Sequence, residues 1–440
     1  MFSILLAHDE KFGFGFQGKL PWKCASDLQH FKERTLGCVV IMGRKTAMAF
    51  PKYGLPQREN IVVSKDRSLP QALFLASKYQ DKKIYIIGGA QLVETAIKLP
   101  QCRELILSVI PGVHESDVFF DPTWLSDFDL VSKEEKKEFT LQKWTRKVNV
   151  EEQQYLTAVK DVIENGCDKM DRTLTGTFSK FGLLMRFSLR NNVLPMLTTK
   201  RVFWKGVVEE LLWLLKGCTD SNKLKEKGVT IWDENGSRSF LDRCGFQTRK
   251  EGDLGPVYGF QWRHSGAKYI TCDTDYKGQG FDQVAEVVRL LKEDPYSRRI
   301  VMSAWNPSDL KQMALPPCHV SAQFSVNPNT KELSCMMYQR SVDLGLGAPF
   351  NIASYSLLTH LLCFLTGFKP GEFVYSMGDY HVYKNHVDPL KEQLKRTPIS
   401  FPTLQIKPQT KVANLWDFQF SDLVLKNYQC YDSVKMKMAS

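Results

Sequence analysis

Three short β-rich runs, Val39-Val40-Ile41-Met42, Ile61-Val62-Val63 and Ile84-Tyr85-Ile86-Ile87, alternate with stretches of helical spacing in the first third of the chain. Strands separated in this way by helices pair side by side, so an α/β sheet is expected there. The period of the apolar residues then changes. Phe139, Leu141 and Lys143 alternate with Thr140, Gln142 and Trp144 as in a strand, whereas Tyr155, Leu156, Val159, Val162 and Ile163 recur at helical spacing. A join is therefore expected at residues 148–151, dividing the chain into units 1–150 and 151–440. A chain of 440 residues with 43% hydrophobic residues is too long for one ordinary core. The helix after the join is expected to stop at Asn165-Gly166, with Gly166 as a left-handed C-cap. Residues 352–365 are mostly apolar but short for a membrane span and interrupted by Ser354, Ser356, Thr359 and His360, which favours a buried core helix.

The 11 cysteines are scattered and show no paired metal-ligand spacing, so free thiols in a reducing compartment, and no metal, are expected. The start, Phe2-Ser3-Ile4-Leu5-Leu6-Ala7-His8-Asp9, has no basic region and too short an apolar run for a signal peptide or membrane segment. A cytoplasmic protein with no membrane partner is the expectation. The net charge of +11 is spread over dispersed Lys and Arg residues without an arginine-rich tract or RNA-recognition signature. It suits anionic small molecules as well as nucleic acid, and no nucleic-acid partner is expected.

One cysteine stands out. Cys318 lies in Leu315-Pro316-Pro317-Cys318-His319, followed by Gln339-Arg340-Ser341 and Pro349-Phe350-Asn351-Ile352. A free thiol is mostly protonated at neutral pH, so a nucleophilic cysteine needs nearby cations, and Arg340 and His319 are candidates for that task.

Together with Asp171-Arg172-Thr173, Glu209-Glu210-Leu211-Leu212-Trp213, Ile231-Trp232-Asp233, Gly255-Pro256-Val257-Tyr258-Gly259, Ser297-Arg298-Arg299 and Gly378-Asp379-Tyr380-His381-Val382-Tyr383, these strings resemble thymidylate synthase from about Glu151 to Ser440. The resemblance implies an α+β domain with a large mixed sheet and a homodimer formed through it. It implies that Cys318 attacks C6 of dUMP, making C5 nucleophilic toward the methylene of 5,10-methylenetetrahydrofolate; covalent attack splits one hard step into two. Glu210 would organise proton transfer, with Tyr258, His319 and Asn351 around the base. Arg172, Arg340 and Ser341 would bind phosphate, joined by Arg298 and Arg299 from a second subunit, and His381 and Tyr383 would meet the ribose. Consecutive arginines on a strand would point to opposite faces. Trp232, Asn235, Asp343 and Gly347 match folate contacts. Leu174 stands where the family usually has glycine in the loop of Arg172, and Val342 where it has a small residue or cysteine.

Residues from Phe2 to about Val148 resemble dihydrofolate reductase through Gly18-Lys19-Leu20-Pro21-Trp22, Asp27, Gly43-Arg44-Lys45-Thr46 and Ile87-Gly88-Gly89. On a helix starting near Ser26, Asp27 and Phe31 are four apart with Leu28 beside them, which would aim a carboxylate into an apolar pocket. The resemblance implies folate contacts from Leu5, Asp27, Leu28, Phe31, Arg58 and Ser108. It implies NADPH contacts from Ala7, Gly15, Gly43, Arg44, Lys45, Thr46, Ser64, Lys65, Ile87, Gly88 and Gly89. Ala47 replaces a usual Trp, Val93 a usual Tyr, and Ser108 a usual Thr. Joined in this order, the halves resemble bifunctional enzymes in which dihydrofolate released by the synthase is reduced with NADPH. The alternative is an active synthase whose reductase-like half serves assembly or regulation.

Overall fold

The computed structural model describes residues 1–171 and 174–438, and the chain divides into two units, Met1–Val148 and Asn149–Ser440. In the first, strands β1 (Phe2–Asp9), β3 (Val39–Gly43), β4 (Glu59–Val63), β5 (Ile84–Ile86), β6 (Cys102–Ile110), β8 (Phe128–Glu135) and β9 (Thr140–Arg146) form one sheet in the order β4-β3-β5-β1-β6-β9-β8. A small pair, β2 (Gly13–Gly15) and β7 (Val118–Phe119), forms a separate two-stranded sheet, with β2 beside β1. The five strands from β4 to β6 are parallel, and β9 and β8 add an antiparallel edge. Val39, Val40, Ile41 and Met42 are completely buried, as parallel strands covered on both faces must be. Each such side chain contributes roughly 1.5–3 kcal/mol over leaving it in water. Helices α1 (Ala25–Thr35), α2 (Arg44–Met48), α3 (Leu69–Ala76) and α4 (Ala90–Ile97) connect the strands. At α3 a capping box closes the first turn, with Ser68 and Gln71 exchanging side-chain and backbone bonds.

The second unit opens with α5 (Val150–Asn165). Its sheet follows the order β10 (Cys167–Lys169), β11 (Thr177–Ser188), β15 (Lys369–Tyr383), β14 (Glu332–Asp343), β13 (His319–Val326), β12 (Val301–Ser303). Only β14 and β15 pair in parallel, so the sheet is mixed. Helices α9 (Tyr258–His264), α10 (Gln283–Glu293) and α11 (Gly347–Thr366) pack against it together with α5, α6 (Trp204–Leu215) packs on α9 and α11, α7 (Asn222–Lys225) on α6 and α12 (Val387–Leu394) on α5, α8 (Arg238–Arg243) follows α7 in the chain, and β16 (Thr403–Ile406) pairs with β17 (Leu423–Lys426). The α11 helix is long and apolar enough to cross a membrane, yet 78% of its most apolar window is buried inside this unit. It is the core helix that its hydroxyls and His360 suggest.

Two local expectations need correction. Gly166 caps α5 in an extended conformation, φ −75°, not a left-handed one. Glycine is needed there because a Cβ would lie 2.4 Å from the Val162 carbonyl oxygen and 3.1 Å from the Ser179 amide, where β10 starts at once beside β11. Gly367 after α11 is the left-handed cap instead, at φ 78°. Arg298 and Arg299 lie in a turn before β12, not on a strand, and both are exposed. Leu174 adopts the left-handed conformation, φ 58°, that favours glycine.

Candidate active sites

In the first unit, β1, β3 and β5 deliver their carboxyl ends to one side of the sheet, next to α1 and α2. A cavity of about 1540 Å³ opens there. Leu5, Ala7 and Gly15 line it, as do Asp27, Leu28, Phe31, Arg58 and Ser108. So do Gly43, Arg44, Lys45, Thr46, Ser64, Lys65, Ile87, Gly88 and Gly89. Every sequence-derived candidate of this half therefore faces one space.

Asp27 is 6% exposed. Burial raises its pKa, while a hydrogen bond from the Ser108 hydroxyl and the nearby His30 oppose the rise. Such an acid holds a proton more readily than a surface carboxyl. Arg58 is anchored by neutral acceptors, donating Nη2 to the Lys32 carbonyl at 3.0 Å and Nε to the Thr35 hydroxyl at 3.2 Å, which leaves its charge uncompensated at the cavity. Gly43 donates its amide to the Gly88 carbonyl at 2.8 Å, and a Cβ at Gly89 would sit 3.3 Å from Thr46 Oγ1. The β3 and β5 ends thus present bare backbone at the start of α2, where Arg44 and Lys45 are exposed and unpaired among the described residues. Backbone without side chains beside exposed cations suits a pyrophosphate. Ala47 and Val93 are fully buried in the core, and neither lines the cavity. His30 lines it with a buried, unpartnered Nδ1; its position three residues after Asp27 on α1 was the signal that could have found it.

In the second unit Cys318 precedes β13. Its amide donates to the Tyr258 hydroxyl at 2.6 Å, and its carbonyl accepts from the Arg340 amide at 2.9 Å. The Arg340 guanidinium donates Nε to the Pro317 carbonyl at 2.8 Å and Nη2 to the Pro316 carbonyl at 3.0 Å. A cation is thereby pinned to the segment that carries the thiol. His319 cannot be a second cation: burial pushes its pKa down to about 3, so the ring is neutral. It stacks on Tyr258 at 4.1 Å between centroids.

Glu210 projects from α6, is 9% exposed, and has its pKa pushed up by burial to about 7. The Trp232 indole donates to its Oε1 at 2.7 Å, and that ring meets Tyr258 edge-on at 6.0 Å. Glu210, Trp232, Tyr258, Cys318 and His319 are therefore contiguous. Gln339 links the other wall, accepting at Oε1 from Asn351 Nδ2 and from the Tyr375 hydroxyl, both at 2.7 Å. Ser341 follows Arg340 on β14, with Val342 fully buried behind it. His381 and Tyr383 end β15, their rings 5.3 Å apart, and His381 Nδ1 is 3.0 Å from Asp379 Oδ1. Asp343 accepts the Gly345 amide at 2.7 Å and the Leu346 amide at 3.1 Å, bracing the turn before Gly347. Asn235 is buried at 7% exposure.

Arg298 and Arg299 join none of these contacts within the chain, and Arg172 lies outside the described residues. Gln339 has no role in the sequence reading beyond its place in the string before Arg340, and Tyr355 and Tyr375 are absent from it. Tyr355 stands four residues after Asn351 on α11, a spacing that puts both on one face. Among the described residues one group has metal-binding composition, Asp220, Cys272 and Asp273, and Lys250 Nζ stands 2.9 Å from Asp273 and 3.8 Å from Asp220. Lysine supplies the positive charge there.

Comparison with known proteins agrees with both halves. The thymidylate synthase family model matches residues 153–440 and the dihydrofolate reductase model residues 1–152. Over all of this chain, the bifunctional dihydrofolate reductase-thymidylate synthase of Paramecium tetraurelia is 46% identical and covered over 98% of its length. The Zea mays protein of that name is 42% identical with 96% covered, and the Leishmania major one 42% identical with 95% covered. The chain belongs to the bifunctional dihydrofolate reductase-thymidylate synthase family, an enzyme with a reductase half and a synthase half in one polypeptide.

Proposed function

We propose that the synthase half methylates dUMP with 5,10-methylenetetrahydrofolate and that the reductase half reduces the dihydrofolate so formed with NADPH. The observation that carries the synthase reading is the pinning of Arg340 to both prolines before Cys318, which holds a cation on the segment that carries the thiol. The Cys318 thiolate forms a bond to C6 and the ring electrons move toward C5 and the C4 oxygen. Glu210, titrating near neutrality, moves a proton at the closed site. Tyr258 fixes the Cys318 backbone, and Asn351, oriented by Gln339, presents its amide to the base. Arg340, Ser341 and Arg172 bind the phosphate, His381 and Tyr383 the ribose, and Trp232, Asn235, Asp343 and Gly347 the folate.

In the reductase half, Asp27 with Ser108 holds a proton for the pteridine, Leu5, Leu28 and Phe31 pack on it, and Arg58 holds its glutamate carboxylate. NADPH, when bound, supplies the hydride. Gly43, Thr46, Ile87, Gly88 and Gly89, with Ala7 and Gly15, approach it with backbone, while Arg44, Lys45, Ser64 and Lys65 take its phosphates. A silenced reductase is not favoured, because Ala47 and Val93 pack into the core away from the cavity.

The chain is read as a cytoplasmic homodimer joined through the synthase sheet. Leu184, Val301, Met336 and Tyr338 are exposed on β11, β12, β14 and β14, an apolar outer face that a second copy would cover, bringing Arg298 and Arg299 to its phosphate site. Domain limits near residue 150 fit this reading. The test is a pair of variants: Cys318→Ser should abolish dUMP-dependent turnover and spare NADPH oxidation, while Asp27→Asn should do the reverse. Retained synthase turnover in the first, or an unchanged reductase rate in the second, sinks the corresponding assignment.

A further inference from the structure

Among the described residues, His319 makes one hydrogen bond, Nδ1 to the Tyr355 hydroxyl at 2.7 Å. That distance fits two proton placements: the hydroxyl donates to Nδ1, or Nδ1–H donates to the hydroxyl oxygen. The partners of Tyr355 decide between them. Tyr355 is 3% exposed on α11, and its hydroxyl has no partner other than His319 among the described residues. Burial holds its pKa well above 10, so the hydroxyl hydrogen is always present. If Nδ1 carried a proton, that hydroxyl hydrogen would be a buried donor with no acceptor, which folded proteins avoid. The hydrogen therefore points at Nδ1. A neutral imidazole that accepts at Nδ1 carries its own proton on Nε2.

We infer that Tyr355 is a positioning residue that fixes His319 as the Nε2–H tautomer, making it a hydrogen-bond donor rather than a base beside Cys318. The ring cannot turn over to escape this assignment easily. Tyr258 stacks on one face at 4.1 Å, and Trp262 and Tyr355 meet it edge-on at 6.5 and 5.4 Å. Nε2 has no partner among the described residues, so its hydrogen is free to meet a ligand. When a thiolate adds to an electron-poor ring, the S–C bond forms, a C=C π bond breaks and negative charge appears on the carbonyl oxygen conjugated with it. A neutral N–H donor stabilises that charge without surrendering its proton. The catalytic consequence rests on the reading of Cys318 as nucleophile; the tautomer does not.

The test uses the full chain labelled with [15N]histidine. Long-range proton–nitrogen correlation spectra report which ring nitrogen carries hydrogen, and the His319 signal is identified by its loss in His319→Gln. The wild-type spectrum should hold one Nε2–H pattern from pH 6 to 9. In Tyr355→Phe, Nδ1 loses its donor and its resonance should move, with both tautomers populated. Synthase kcat should fall about five- to tenfold, the scale of one buried hydrogen bond, with NADPH oxidation unchanged as the folding control. A wild-type Nδ1–H pattern overturns the inference, as does a Tyr355→Phe spectrum identical to wild type, whatever its rate. Should Tyr355→Phe not fold, the wild-type spectrum alone decides. Absence of dUMP-dependent turnover in the wild type would defeat the functional reading and leave the tautomer result standing.

Discussion

Trp232→Phe isolates the group that sets the ionisation of Glu210. The Trp232 Nε1–H is the one hydrogen bond Glu210 receives among the described residues, at 2.7 Å, and it favours the charged carboxylate against the burial that raises its pKa to about 7. Phenylalanine keeps most of the aromatic surface packed between Trp213 and Tyr258 and removes only the donor. A hydrogen bond to a charged group contributes about 1.5–3 kcal/mol, and about 1.4 kcal/mol corresponds to one pH unit. Removing it takes support from the ionised form, so the pKa rises. The inflection near neutrality in the synthase pH profile should move up by about one to two pH units. The assay is dUMP-dependent turnover from pH 5.5 to 10 at saturating folate, which separates this effect from weaker folate binding. If kcat falls while the inflection keeps its place, Glu210 is not the group that titrates and the argument from its single donor fails.

Other outcomes follow from the same contacts. Ser108→Ala removes the hydroxyl that opposes the burial-driven rise of the Asp27 pKa, so the pH profile of NADPH oxidation should shift upward while the synthase profile stays put. Glu152, fully buried, accepts the amides of Thr198 and Thr199 at 2.9 and 2.8 Å. Glu152→Ala orphans both amides and should destabilise the synthase unit by about 2–6 kcal/mol, read from its urea midpoint; an unchanged midpoint would mean that water replaces the carboxylate.

Much of this protein was legible in the strings themselves. Alternating β-rich and helical runs pointed to an α/β sheet, and the continuous apolar segment at residues 39–42 is what a buried strand of such a sheet requires. The change of period near Val150 gave the start of α5, where Asn149 caps the helix with its side chain. The candidates of the reductase half are short segments at strand ends, and strand ends in a parallel sheet converge on one side by topology alone. The Cys318 string was equally local.

Protonation states and partners were not legible, because they depend on what distant segments bring. His319 looked like a cation in sequence; burial made it neutral, and Tyr355, 36 residues away, supplies the donor that orients it. Glu210 reads as one of two adjacent carboxylates. The fold sends Glu209 to Lys227 and buries Glu210 against Trp232, which gives the two acids different chemistry. Gly166 reads in sequence as a left-handed helix cap, but it is extended, and what requires glycine there is the close approach of the Val162 carbonyl and the Ser179 amide. Sequence determined which reacting groups this chain carries and on which elements they lie; desolvation and long-range hydrogen bonds, properties of the packed molecule alone, decided which of them hold charge, which hold protons and which way they point.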